Sequence, residues 1–187
     1  MIRSLAGNLL VASTTLDSPM FAQSVCLVVH HDADGAIGLV LNRPLQPQPT
    51  ELLTLLSSDT EPPQANFSGT VHFGGPLSGP VVALHASPAL AESETLTGVY
   101  VAAQKSHLEQ LLKQTQAPMR LIVGHAGWGA GQLEAEIENG DWHVALADTE
   151  IVFGHNEAMW SRLLRPACGL SIARWIGARP TPLPELN

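Results

Sequence analysis

Positive charge is what this chain has least of. Nine of its 187 residues are Lys or Arg, against seventeen Asp or Glu, giving a formal net charge of −8. Nucleic acid and anionic membrane both recruit proteins through basic surface, so this balance argues against direct binding to either. The few basic residues are unevenly placed. Arg43 stands alone between Arg3 and Lys105, whereas Arg162, Arg165, Arg174 and Arg179 crowd the last quarter. A solvated helix followed by a Pro-rich tail accounts for them. Cysteine is nearly absent: Cys26 and Cys168 lie far apart without metal-like spacing, which leaves no disulfide framework and no thiolate metal site. Aromatic residues make up only 5%, so the core must be built mainly from Leu, Val, Ala and Ile. No apolar run reaches the ~20 residues of a membrane helix. The N-terminal apolar stretch is short and broken by Gly7 and Asn8, unlike a secretory signal. A soluble, cytoplasmic protein is expected.

What is present suffices for a core. With 45% apolar and 14% charged residues, the chain can bury one domain, and its length fits one. Leu9 to Ser13 and Val25 to His30 read as strands, the second so continuously apolar that both its faces should be covered. Asp32-Ala33-Asp34-Gly35 then predicts a hairpin into Ala36–Leu41, with Asp-Gly supplying central positions that tolerate positive φ. Further strands are expected at Val71–Phe73, Val81–His85, Val99–Ala102, Arg120–His125, Trp142–Leu146 and Glu150–Phe153, the last two paired. A helical turn fits Met20–Gln23. Helices fit Thr50–Leu56, Ser106–Gln114, Gln132–Asn139 and Glu157–Leu164, the last ended by Pro166, with a polar surface loop over Ser57–Gly69. Strands outnumber helices and follow one another through short turns. The fold class is therefore α+β, without regular βαβ alternation.

Two glycine segments hold the candidate site. Gly124-His125-Ala126-Gly127-Trp128-Gly129-Ala130-Gly131 packs four glycines around one tryptophan between an apolar run and a helix, which predicts a tightly specified turn. Its backbone N–H groups could cradle an anion ahead of the helix; alternatively the glycines only let Trp128 pack. P-loop and dinucleotide fingerprints are both absent. Gly74-Gly75-Pro76 is the second such turn. Placed at neighbouring strand ends, the two would wall a cleft with Asn42 and Arg43, whose guanidinium suits carboxylate or phosphate. The candidate cleft comprises Asn42, Arg43, Gly74, Gly75, His125, Gly127, Trp128 and Gly131.

Catalytic signals are weak. Eight histidines show no ligand spacing, so no metal is expected, nor any cofactor. His31, His85 or His125 could serve as the base of a hydrolase or transferase if they met in one pocket. Ser78 in Gly75-Pro76-Leu77-Ser78-Gly79 sits one place too late for a nucleophile elbow. Glu134, Glu136 and Glu138 read as a solvated helix face.

Several blocks, in order, resemble the AlgH/YqgE family of bacterial proteins. They are Asp32-Ala33-Asp34-Gly35-Ala36-Ile37-Gly38 with Leu41-Asn42-Arg43-Pro44; Phe73-Gly74-Gly75-Pro76; Leu84-His85; Gly124-His125-Ala126-Gly127-Trp128 with Gly131-Gln132-Leu133-Glu134; and Asn139 with Trp142, then Asp148, Phe153 and Trp160. Leu77 stands where the pattern has valine. The resemblance spans residues 8 to 165. It implies a mixed, mostly antiparallel sheet curled into a partial barrel with helices outside, over a domain of residues 1–165 followed by an extension of 166–187 with a Pro-rich tail. It also implies a bacterial cytosolic protein of a family often labelled transcriptional regulators, with no established reaction to carry over. The acidic chain shows no basic recognition helix, so the expected role is a non-catalytic domain that binds a protein partner or small anionic ligand and touches transcription indirectly.

Overall fold

The computed structural model describes residues 4–49, 52, 56, 70–114, 118–154 and 158–175. The expected helix over 50–56 and loop over 57–69 lie outside these residues, except Leu52 and Leu56. Both leucines pack into one of the three hydrophobic clusters.

Among the described residues, nine strands form one sheet. They are β1 (Asn8–Ala12), β2 (Val25–Asp32), β3 (Gly35–Val40), β4 (Val71–Phe73), β5 (Leu77–His85), β6 (Ser93–Leu96), β7 (Val99–Ala102), β8 (Met119–Gly129) and β9 (Trp142–Leu146). The order is β6-β7-β5-β8-β3-β2-β1-β9, with β4 attached to β8 off this path. Every pairing is antiparallel except β4 with β8. The sheet curls into a half-barrel: β6 returns so far toward the N-terminus that a Cβ on Gly7 would lie 2.7 Å from the Thr95 carbonyl oxygen.

Both faces of the sheet are covered, as the apolar run of β2 predicts. Leu9, Leu27, Leu39, Leu84 and Ile122 point to one side, where α3 (Thr149–Phe153) and α4 (Met159–Trp175) add Val152, Met159 and Ala167. Leu10, Cys26, Val28, Val40, Ala126 and Trp128 point to the other, under Leu133 of α2 (Gln132–Glu138). A third cluster seats α1 (Lys105–Lys113) through Leu108 and Leu111. Cys26 is fully buried and burial pushes its thiol far above the ordinary range, which fits an inert core residue.

Four local expectations need correction. The β2–β3 hairpin exists, but its central residues are Ala33 and Asp34, because Asp32 pairs with Gly35. Asp32 Oδ1 accepts the Asp34 N–H at 2.8 Å, and that side-chain turn sets the tip. Gly35, at φ 144°, opens the return strand. Glu150–Phe153 is helical rather than a strand, since Asp148 caps it by accepting the Ile151 N–H at 2.7 Å. That cap overrides the β preference of Ile151 and Val152. α4 runs through Pro166 to Trp175. Pro166 withholds an N–H from the Arg162 carbonyl, but Arg162 is exposed. Buried Met159 and Ala167, with Trp160 Nε1 donating to the Ala12 carbonyl at 2.7 Å, hold the helix on the sheet to both sides of the proline. Lastly, the first glycine segment is no turn. β8 continues through Gly124 to Gly129, and only Ala130 and Gly131 bend toward α2.

Candidate functional site

The glycines have a topological reason. Residues 121–123 of β8 pair in parallel with β4 and, over the same stretch, antiparallel with β5. A strand has two edges, so β4 and β5 lie on opposite sides of β8. They are joined by Gly74, Gly75 and Pro76 alone. The chain therefore passes across β8 in three residues. Main chain touches main chain there: a Cβ on Gly74 would sit 2.3 Å from the Gly124 oxygen, one on Gly75 2.3 Å from the His125 carbonyl carbon, and one on Gly124 2.5 Å from the Gly75 oxygen. Gly75 (φ 149°) and Gly124 (φ 76°) also adopt conformations that other residues rarely take. The two glycine segments do meet, backbone against backbone, and the contact itself leaves no gap.

Asn42 and Arg43 follow β3 beside this crossing. Asn42 Oδ1 accepts the Val25 N–H and its Nδ2 donates to the Gln23 carbonyl, both at 2.9 Å. Arg43 donates from Nη2 to the Ala22 carbonyl at 2.7 Å, and its own carbonyl accepts the Phe73 N–H at 2.8 Å. The pair thus holds the turn before β2 and the end of β4 in place. Past the crossing, His125 lies opposite Leu77, and Gly79 leaves room for its ring. Gly127 is exposed, with Ile37 opposite it on β3 and Leu77 Cδ1 just 2.7 Å from where its Cβ would be. Ile37 and Leu77 are themselves 40% and 47% exposed, so an apolar strip crosses three adjacent strands over a bare glycine.

Trp128 and Gly131 lie elsewhere. Trp128 is buried on the opposite face of the sheet, edge-on to Trp142. Gly131 caps α2 at φ 71° with nothing near its missing Cβ. The Glu136 carboxylate accepts both indole N–H groups, from Trp128 at 2.7 Å and Trp142 at 2.9 Å. Glu134 meets His31 Nε2 at 2.8 Å. Two of the three glutamates expected on a solvated face are thus acceptors for buried groups, and only Glu138 is exposed.

The three histidines weighed as a base do not converge. His31 is buried; its Nδ1 accepts the Leu5 N–H at 2.9 Å, so the ring proton sits on Nε2, toward Glu134. His85 is fully buried at the end of β5, opposite Met119. His125 is six residues further along β8, about 20 Å away at strand spacing. Burial lowers the His85 proton affinity, while Glu92 opposes that and His107 adds to it. Among the described residues no cluster of His, Cys, Asp or Glu could hold a metal ion.

Arg120 is the polar residue that local reading missed. It is 5% exposed, and its guanidinium donates to the carbonyls of Val152, Gly154 and Leu41 and to His72 Nε2 at 2.9 Å. His72 Nδ1 in turn donates to the Thr70 carbonyl. Burial lowers the Arg120 pKa to about 10, still charged at neutral pH. The one available signal was an arginine at the head of the apolar run Leu121-Ile122-Val123.

A curled, nearly all-antiparallel sheet, crossed by its own chain at a glycine contact and backed by helices, defines a distinct class of α+β domain. The chain belongs to the AlgH-like family (DUF179), whose model matches residues 9–171. It is 36% identical over 174 residues to a UPF0301 protein of Chlorobium luteolum, covering 89% of this chain and 88% of that one. A UPF0301 protein of Chlamydia abortus is 34% identical over 170 residues, covering 87% and 86%. Among solved structures, the AlgH protein from Pseudomonas aeruginosa superposes with a TM-score of 0.73 at 28% identity, covering 97% of this chain and 100% of that one. A protein from Corynebacterium diphtheriae gives 0.72 at 26% identity, covering 98% and 91%. No helix among the described residues is long and apolar enough to cross a membrane.

Proposed function

We propose that this chain is a non-catalytic binding domain, cytoplasmic, whose effect on transcription, where it has one, runs through the partner or small anionic ligand it holds. The observation that carries this reading is the exposed strip of Ile37, Gly127 and Leu77 beside the chain crossing. It lies next to His125, and Asn42, Arg43, Gly74 and Gly75 adjoin the same crossing. Loops and strand ends on a rigid scaffold are where recognition is usually built, and an exposed apolar strip suits a partner. Arg43 adds a fork-shaped donor for a carboxylate or phosphate, since one carbonyl occupies only part of its guanidinium. The scattered histidines give the hydrolase or transferase alternative no support.

The test is affinity capture from a native bacterial lysate, with proteins and co-purified small molecules identified by mass spectrometry. Wild type is compared with Ile37→Asp and Arg43→Ala, each checked for native circular dichroism. The expected result is a retained species that Ile37→Asp or Arg43→Ala depletes at least about tenfold, the equivalent of ~1.4 kcal/mol. Identical retention by all three proteins sinks the placement.

A further inference from the structure

One edge of β8 is only half used. Residues 119–125 have β5 alongside, but β5 begins at Leu77, opposite His125. From Ala126 to Gly129 the strand has β3 on one side and, among the described residues, no strand on the other. In an antiparallel ladder, alternate residues turn both N–H and C=O to the same side. A Cβ on Gly35 would lie 2.1 Å from the Trp128 oxygen, so Trp128 faces β3. Gly129 donates its N–H to Gln132 Oε1 at 3.0 Å, away from β3. Gly127 shares the parity of Gly129, so its N–H and C=O point into the vacant lane. The lane continues the line of β5 beside Gly127 and ends at the Gln132 carboxamide, which sits against Gly129.

Resting on the binding reading above, we propose that this half-edge receives an extended peptide segment of a partner protein by strand addition, the segment carrying an apolar residue flanked by Lys or Arg. Each part of that description has its counterpart here. The N–H and C=O of Gly127, turned away from β3, match another extended backbone, which exchanges two hydrogen bonds with it. Ile37 and Leu77, exposed beside Gly127, receive the apolar side chain. The basic residues answer the acidic hairpin tip, which is tied to this stretch because Gly35 pairs with Gly129. At that tip the Asp34 N–H and the His30 side chain hold the Asp32 carboxyl below its ordinary range, and Asp34 adds a second carboxylate two residues on. The net charge of −8 favours the same partner.

The experiment uses the full chain labelled with nitrogen-15 and three capped heptapeptides: alternating Lys and Val, alternating Glu and Val, and the Lys–Val peptide N-methylated throughout. With saturating Lys–Val peptide, the Gly127 amide should exchange about tenfold more slowly, with resonance shifts centred on Ile37, Leu77 and Gly127. The Glu–Val and N-methylated peptides should leave Gly127 unchanged. Gly127→Pro should abolish the shifts at Ile37 and Leu77 while keeping the fold, since it removes the N–H that faces the lane and its Cβ meets only the flexible end of Leu77. Absence of binding by the Lys–Val peptide, binding that leaves the Gly127 amide exposed, or equal protection by the N-methylated peptide overturns strand addition. If Ile37→Asp still depletes a lysate partner in that event, the binding reading stands and only its mode falls.

Discussion

Glycine in this chain answers two demands that single-residue substitutions can separate. Gly75 and Gly131 both adopt positive φ, but a Cβ on Gly75 would overlap the His125 backbone, whereas one on Gly131 meets nothing within 4 Å. Gly131→Ala should therefore cost only the left-handed penalty, ~1–2 kcal/mol. Gly75→Ala adds a clash between two main chains that cannot swing aside, and should cost ~4 kcal/mol or more or prevent folding. Urea denaturation of both variants measures the contrast, and equal losses would refute it. Arg120 is the other residue on which much depends. Arg120→Met should cost ~3 kcal/mol or more, because carbonyls of Leu41, Val152 and Gly154 lose their donor in the interior. Loss of less than ~1 kcal/mol would show that water reaches them.

Elements whose cause is local could be read from the sequence; those whose cause is distant could not. The β2–β3 hairpin, α1 and α2 stand within a few residues of expectation because apolar runs, 3.6-residue spacing and turn residues sit inside the segment itself. β8 was cut short because glycines look alike whether they bend a chain or admit another across it. The demand here comes from Gly74 and Gly75, some fifty positions upstream. The same distance hid His31–Glu134 and the Arg120 carbonyls, while Asn42, Arg43, Gly74, Gly75, His125 and Gly127 showed themselves as family blocks without their spatial order. α3 and α4 test the balance between local signal and packing. Asp148→Ala should cost about 1 kcal/mol through the lost cap. Pro166→Ala should stabilise α4 by up to ~3 kcal/mol, since it restores an N–H to the Arg162 carbonyl. Chemical denaturation reads both, and a destabilised Pro166→Ala would mean that the proline ring's own packing matters more.

For the molecule as a whole, stability should depend on pH through two imidazoles, buried His85 and half-buried His143. Burial lowers the pKa of His85, against Glu92 and with His107, and burial lowers that of His143. In the unfolded chain both titrate near 6.5. Below that value the unfolded state takes up protons that the folded state refuses, so the equilibrium shifts toward unfolding. Stability is thus complete above about pH 7 and declines as pH falls through 6.5 toward the folded values. Urea midpoints at pH 7.5 and 5.5 should show this decline, and His85→Gln should shrink it. An unchanged pH slope in that variant would place the effect on other groups.

The passage of Gly74–Pro76 across β8 also orders events in time. β4 and β5 are synthesised before residues 119–129, yet each needs β8 as its neighbour, and the link between them must end draped over it. Half of the sheet therefore waits on a segment synthesised later. Until it threads into place, the earlier strands have raw edges and a nascent chain exposed to mispairing. The three small residues that let the backbone pass so closely make the native state compact, and they also make its assembly all-or-none around one late arrival.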